Sequence, residues 1–295
     1  MASPQLQEIV QLLRSAPPLA PDAPVEELRA SMAAWAQPPP ADVTVDPVDA
    51  GGVPAEWVNA PGADADHVML WLHGGGYCLG SLDTHRNLAG RLSAATGSFV
   101  LVADYRLAPE HCHPAAVDDA VEAYLWLLQN GADPTRMAVG GDSAGGGLAV
   151  ALLLALRDRG EPLPGAAVCL SPWVDMACDA DSYTSRADAD PIVSQASIKR
   201  LAAYYLGPDG DPAAPYASPL RGDMSDLPPM LIHVGDAETL LDDARALAAE
   251  AEAAGVDVTL EVWDEMIHVW HAFEPLPESA LAIERIGEFV RKHTA

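Results

Sequence analysis

Hydrophobic positions along this chain change rhythm near residue 67. Upstream, apolar residues recur at helical spacing over 4–14 and 24–36, predicting two short helices separated by Ala16-Pro-Pro-Leu-Ala-Pro and closed by Pro38-Pro39-Pro40. Two short runs follow, Val43–Val48 and Val53–Val58, joined through Gly51-Gly52 as an antiparallel hairpin whose prolines suit an edge position. Downstream, strand-like runs at 67–72, 98–104, 136–140, 165–171, 229–235 and 256–263 alternate with helical patterns at about 84–96, 114–130, 144–158, 239–254 and 277–292. That alternation predicts an α/β fold, a mostly parallel sheet of eight strands, hairpin included, with helices on both faces. The rhythm breaks once, over 174–228, where a segment rich in Asp, Ala and Pro carries a single helical pattern, Ser194 to Leu206. A connection that long inside a compact domain suits a lid over a site.

Composition narrows the function classes. The 295 residues are 49% hydrophobic, enough for a sizeable core, and 43 acidic residues against 16 basic ones give a formal net charge of −27. Such a surface repels phosphate backbones and anionic lipid, so neither nucleic acid nor a membrane is an expected partner, and neutral or cationic small molecules are favoured as substrates. Cys78, Cys112, Cys169 and Cys178 form no CxxC pair and no metal-ligand spacing, which predicts neither a disulfide framework nor a zinc site. The N-terminal residues lack the basic and apolar regions of a signal peptide, and no apolar run approaches membrane-spanning length, so a cytoplasmic location is expected.

Chemistry concentrates at strand ends. Gly141-Asp142-Ser143-Ala144-Gly145 places a Ser between a short buried strand (Met137, Ala138, Val139) and an apolar helix (Leu148 to Leu156), the context of a nucleophile lifted on a sharp strand-to-helix turn. The bland alternative is a Gly-rich junction with an incidental Ser. The strand Val68–Leu72 runs into His73-Gly74-Gly75-Gly76, whose uncovered N–H groups, with that of Ala144, would form an oxyanion hole. An acid and a base should follow later in the chain. After the strand ending at Gly235 come Asp236, Glu238, Asp242 and Asp243; after the strand ending at Trp263 come His268 and His271. Asp236 and Glu238 both stand where the acid is expected and His268 and His271 where the base is expected, while Asp242 and Asp243 read as charges at a helix start. His233 reads as a core residue within a strand, and His67, His85, His111, His113 and His293 as surface or structural residues.

His73-Gly-Gly-Gly76, Asp104-Tyr-Arg-Leu-Ala-Pro-Glu110, Gly140-Gly-Asp-Ser-Ala-Gly-Gly146, Ser171-Pro-Trp-Val-Asp175 and Met266-Ile-His268 occur in an order that resembles the hormone-sensitive-lipase-like (bacterial family IV) esterases of the α/β-hydrolase fold. The resemblance implies Ser143 as nucleophile, His268 as base, and Gly75, Gly76 and Ala144 as oxyanion donors, with His73 shaping the loop and Tyr105–Glu110 bracing the floor. It divides the chain into N-terminal cap helices (1–40), a first part of the catalytic core (41–173), a cap insertion (174–228) and a second core part (229–295). Many relatives carry Asp-Pro-Leu-x-Asp at the acid; here Leu240 and Asp242 align with that pattern, which puts Glu238 at the acid and Thr239 at the Pro.

Substrate contacts are expected from Tyr77 at the pocket mouth, Asp142 beside the nucleophile and Leu206 in the cap, with Tyr183, Ile192, Tyr204 and Tyr205 as further pocket walls. Three Phe in the chain and a short cap favour short to medium acyl chains. The reading is therefore a cofactor-free and metal-free serine carboxylesterase acting on a small-molecule ester through an acyl-enzyme. The alternatives are a lactone hydrolase or amidase on the same site, and a ligand-binding member that has lost catalysis. The resemblance also brings a homodimer into view.

Overall fold

The computed structural model describes residues 2–15 and 23–295, so the expected proline-rich link after Ser15 lies outside the described residues. The chain opens with helices α1 (Pro4–Ser15) and α2 (Val25–Ala33), then the hairpin β1 (Thr44–Asp49) and β2 (Pro54–Asn59). The alternating part runs β3 (Asp64–Leu72), α3 (Leu82–Thr96), β4 (Ser98–Ala103), α4 (Ala115–Gln129), β5 (Met137–Asp142), α5 (Ala144–Arg159) and β6 (Ala166–Leu170). The interruption holds a single turn α6 (Ser182–Ser185), α7 (Gln195–Leu206) and a 3₁₀ turn at Pro219–Arg221. The chain then finishes the sheet with β7 (Met230–Gly235), α8 (Leu241–Ala253) and β8 (Val258–Trp263), and ends in α9 (Pro277–His293).

The eight strands form one sheet in the order β1-β2-β4-β3-β5-β6-β7-β8, antiparallel at β1–β2 and β2–β4 and parallel elsewhere. The chain steps outward from β3 to β4, then crosses back to pair β5 on the other side of β3. Right-handed crossovers in opposite directions put their helices on opposite faces, so a crevice opens at the carboxyl end of β3. The hairpin expectation needs one correction: β2 is not an edge strand but pairs with both β1 and β4. Its proline is tolerated because Pro54 stands at the first position of the strand.

Burial on both faces explains why the parallel strands read as unbroken apolar runs. In β3, Leu70 and Leu72 join the cluster built with α4 and α5, while Met69 and Trp71 join the one built with α3 and α9. Leu148–Leu156 of α5 is buried all round, because α5 packs the sheet and also sits between the clusters of α4 and α8. Truncating any one of these buried leucines to alanine would cost about 2–5 kcal/mol. The helix of the interruption starts where its sequence says it should: Ser194 and Ser197 form a reciprocal capping box at the start of α7. Among the described residues, no helix is long and apolar enough to cross a membrane.

Candidate active site

Five of the parallel strands, β3, β5, β6, β7 and β8, deliver their following loops to one edge of the sheet. At the centre, β5 ends at Asp142 and α5 begins at Ala144, leaving Ser143 alone in the turn at φ 55°, ψ −122°. A non-glycine residue holds such a backbone only when its surroundings impose it. The imposing contacts are close: a Cβ on Gly145 would run into the carbonyls of Leu72 and His73, and one on Gly141 would run into Gly145. Helix and strand therefore meet without side chains between them, and Ser143 is pushed out to a partly exposed position.

His268 Nε2 lies 2.9 Å from Ser143 Oγ, and His268 Nδ1 lies 2.9 Å from Glu238 Oε2. Glu238 is fully buried, and its other oxygen accepts the Ser171 hydroxyl at 2.8 Å and the Gly235 N–H at 2.6 Å. Burial pushes the Glu238 pKa above its ordinary value, while the hydrogen bonds and charge of His268 and the Gly235 N–H pull against it and favour the carboxylate. Burial alone would lower the His268 pKa, but the hydrogen bond and charge of Glu238 outweigh it and leave the imidazole raised above its ordinary value. Asp236 points elsewhere, its Oδ1 accepting the N–H of Glu265 at 2.6 Å. His271 is fully buried with its Nε2 3.1 Å from His233 Nδ1, away from the serine relay.

The glycine loop follows β3. Gly75 and Gly76 adopt φ 117° and 62°, the first of which only glycine accepts readily. The Gly75 carbonyl takes the N–H groups of Cys78 and Leu79. Ala144, as the first residue of α5, has no intrahelical acceptor for its N–H. His73 braces this loop: its Nδ1 donates to the Gly74 carbonyl at 2.8 Å, and its ring stacks on Tyr105 at 4.3 Å. The Tyr105 hydroxyl in turn donates to the His73 carbonyl at 2.6 Å. Burial holds the His73 pKa down to about 4, so the ring is neutral and its single proton serves Gly74. From outside, Arg29 of α2 donates to the carbonyls of Cys78 and Ala108 and pairs with Glu110 at 2.7 Å, tying the N-terminal helices to the loop.

Two of the three expected substrate contacts, Tyr77 and Asp142, are buried in the structure. Tyr77 does not stand at a mouth: it is 1% exposed, stacked on Tyr205 at 3.8 Å and packed on Trp173. Its φ of 60° turns the side chain back into the core, an orientation no spacing rule reveals. Asp142 is buried, and its Oδ2 lies 3.3 Å from His85 Nε2 beneath Gly74, so it pairs internally instead of facing a substrate. Leu206 closes α7 beside Gly207 and Cys112; the α7 residue that meets the glycine loop is Leu201, which a Cβ on Gly76 would strike. Tyr183 and Tyr205 are likewise buried, whereas Ile192 is 42% exposed. Sequence reasoning reads His85 as a surface or structural residue and gives no role of their own to Ser171 and Arg29; the partners of all three are distant in the chain. For Ser171 a signal existed, since it opens the Ser171–Asp175 stretch at the end of β6.

An open groove of about 580 Å³ lies next to the relay, between Leu6, Val10 and Gln11 of α1 and Ala189, Ala237 and Ile267 opposite. Ala237 and Ile267 each precede a residue of the relay. Among the described residues, no group of three or more His, Cys, Asp and Glu could hold a metal ion.

This geometry sits within a recognisable lineage. A family model described as the α/β hydrolase fold matches residues 69–272. An acetyl-hydrolase of Streptomyces hygroscopicus is 51% identical over 257 residues, covering 87% of this chain and 84% of that protein. An esterase of Acinetobacter venetianus is 36% identical over 248 residues, covering 84% of this chain and 82% of its own. Among solved structures, an esterase from the bacterial hormone-sensitive lipase family superposes with a TM-score of 0.94 at 50% identity, covering 100% of both chains. The esterase EstE5 superposes with a TM-score of 0.97 at 48% identity, covering 99% of each chain. Sequence, strand order and these likenesses agree, and the chain belongs to the α/β-hydrolase family, in its hormone-sensitive-lipase-like esterase branch.

Proposed function

We propose that this protein is a serine carboxylesterase in which Ser143 is the nucleophile, His268 the general base and Glu238 the acid of the relay. The observation that carries the reading is the unbroken run of hydrogen bonds from Ser143 Oγ through His268 to a buried Glu238, each 2.9 Å. In this mechanism His268 Nε2 takes the Ser143 proton as Oγ attacks the ester carbonyl. The N–H groups of Gly75, Gly76 and Ala144 stabilise the oxyanion that forms. His268 returns the proton to the departing alcohol, leaving an acyl-enzyme on Ser143. A water then attacks the acyl carbon, gives its proton to His268, and the carboxylic acid leaves as Ser143 recovers its hydrogen. Glu238 keeps the imidazole in the tautomer that presents Nε2 to the serine and stabilises its charged form.

Short to medium acyl chains fit best. The stacked Tyr77–Tyr205 pair and Leu201 occupy the space around the glycine loop, and a relative is named for acetyl hydrolysis. Rates across p-nitrophenyl esters of increasing chain length, run beside simple lactones, test this: activity should peak at short acyl groups. A fluorophosphonate probe should label Ser143 stoichiometrically and fail to label Ser143→Ala. Absence of labelling in the wild-type protein would favour a ligand-binding role instead.

A further inference from the structure

Asp190 lies in the segment between β6 and β7, yet its carboxylate is committed to the loop of the relay acid. Its Oδ2 accepts both the N–H (2.9 Å) and the hydroxyl (3.1 Å) of Thr239, the residue directly after Glu238. Its Oδ1 accepts the N–H groups of Ile192 and Val193, each at 2.9 Å. The side chain is 8% exposed, and among the described residues no Lys, Arg or His forms an ion pair with it. Arg14 of α1 approaches the same turn but donates to the carbonyls of Asp188 and Ala189. Four neutral donors thus surround a group of full negative charge.

Neighbouring contacts make the same junction. The Ser182 hydroxyl donates to the Thr239 carbonyl at 2.6 Å, and the Ser182 N–H donates to Asp242 at 2.9 Å. Asp243 Oδ1 accepts the N–H of Val174 at 3.2 Å. The start of α8 is therefore held by the inserted segment at several points, and Asp190 takes the N–H and hydroxyl of Thr239, the residue adjoining Glu238, while Ser182 donates to its carbonyl.

We propose that Asp190 is a positioning residue for the Glu238–His268 pair: through Thr239 it aims the carboxylate, and its charge favours the imidazolium formed in each half-reaction. The proposal rests on the serine-esterase reading above. The charges acting on His268 are Glu238 from the loop after β7, Asp190 from the insertion and Asp142 from the end of β5, all three raising its pKa. His271, on the same loop, is buried and held well below its ordinary value, so it adds no opposing charge. An asparagine at 190 would lose the charge and turn a donor toward one of the two donor pairs it now accepts from, the Thr239 N–H and hydroxyl or the Ile192 and Val193 N–H groups.

The test compares kcat, KM and the pH profile of kcat/KM for p-nitrophenyl acetate in wild-type enzyme, Asp190→Asn, Asp190→Glu and, as a charge control, Asp188→Asn. Asp190→Asn should lower kcat about tenfold with KM changed little. Its acid limb should move to lower pH by roughly half a unit, since a negative charge near the imidazolium is gone. Asp190→Glu should keep the limb near its wild-type position, and Asp188→Asn should leave both readouts unchanged. A wild-type kcat in folded Asp190→Asn would overturn the proposal, and a fall in kcat without movement of the limb would overturn the role of its charge. Should Asp190→Asn fail to fold, Thr239→Val keeps the carboxylate and removes the hydroxyl donor. A fall in kcat of about threefold is then expected, and an unchanged kcat would overturn the positioning role. Failure of the wild-type protein to hydrolyse esters or to react with a fluorophosphonate would instead sink the serine-esterase reading itself.

Discussion

The Ser171 hydroxyl donates to Glu238 Oε1 at 2.8 Å, while its oxygen accepts the Val269 N–H at 3.1 Å. One small side chain at the end of β6 therefore joins the loop of the acid to the loop of the base. Ser171→Ala should lower kcat about tenfold with little change in KM, because it loosens Glu238 and leaves a buried N–H without its acceptor. Thermal unfolding should register a loss of about 1–3 kcal/mol for the same substitution. Steady-state kinetics and a melting curve on one preparation check both.

The two carboxylates of the loop after β7 that sequence offered as the acid should separate cleanly. Glu238→Gln should reduce kcat by about 10⁴, since a neutral amide can neither fix the imidazole tautomer nor stabilise its charge. Asp236→Asn should cost far less, because Asp236 only receives the Glu265 N–H. A reversed ranking in single-turnover hydrolysis would move the acid to Asp236.

Activity should rise with pH along a limb set by His268. Its pKa stands above the ordinary imidazole value because Glu238 outweighs burial, and the reaction needs the neutral ring. The apparent pKa of kcat/KM should therefore exceed 6.5, the ordinary value. Glu238→Gln should move that limb down. A pH series with p-nitrophenyl acetate, corrected for spontaneous hydrolysis, reads it directly.

Stability should also fall on the acid side. His73 is held down to about 4 and His233 to about 3 by burial, and His271 is lowered as well. Groups depressed in the folded state add stability above their unfolded pKa of about 6.5 and lose it as pH falls toward the folded value. For His73 alone the full effect is about 3 kcal/mol. Asp243, pushed by burial up to about 7, acts in the opposite sense over the same range, since its folded form holds a proton that the unfolded form releases. The three depressed imidazoles, set against the raised carboxyls Asp243, Glu238 and Asp104, predict a melting temperature that declines as pH falls from about 6 to 4.

Gly145→Ala should be far more damaging than its single methyl group suggests. The new Cβ would meet two backbone carbonyls, which cannot rotate away as a side chain would. Several kcal/mol of stability should be lost together with activity. Gly97→Ala provides the contrast, because a Cβ there meets nothing within 4 Å, and only its φ of 73° opposes the change.

Much of this was legible in the sequence because it was local. Strand and helix types followed from apolar spacing, and strand ends placed Ser143, Glu238 and His268 on one edge. What escaped was decided by partners far apart in the chain. Asp142 lies beside the nucleophile, yet its side chain turns to His85, 57 positions away. Tyr77 follows the glycine loop and reads as a pocket residue until its positive φ folds it onto Tyr205. The pairing of β2 with β4 was hidden because a hairpin's sequence says which strands are neighbours but not what lies beyond them. Asp190 sat in a stretch without periodicity, and only packing revealed that its carboxylate reaches Thr239.

The order of strands has a consequence for how the protein comes into being. Ser143 is synthesised 125 positions before the imidazole it needs, and that imidazole arrives only after β8, the outermost strand at its end of the sheet, has paired with β7. A nascent chain still inside the ribosome at residue 268 has the turn that carries Ser143 but not the imidazole that meets it. Ester hydrolysis therefore reports completion of the whole sheet, and its appearance during refolding should trail the recovery of helical circular dichroism.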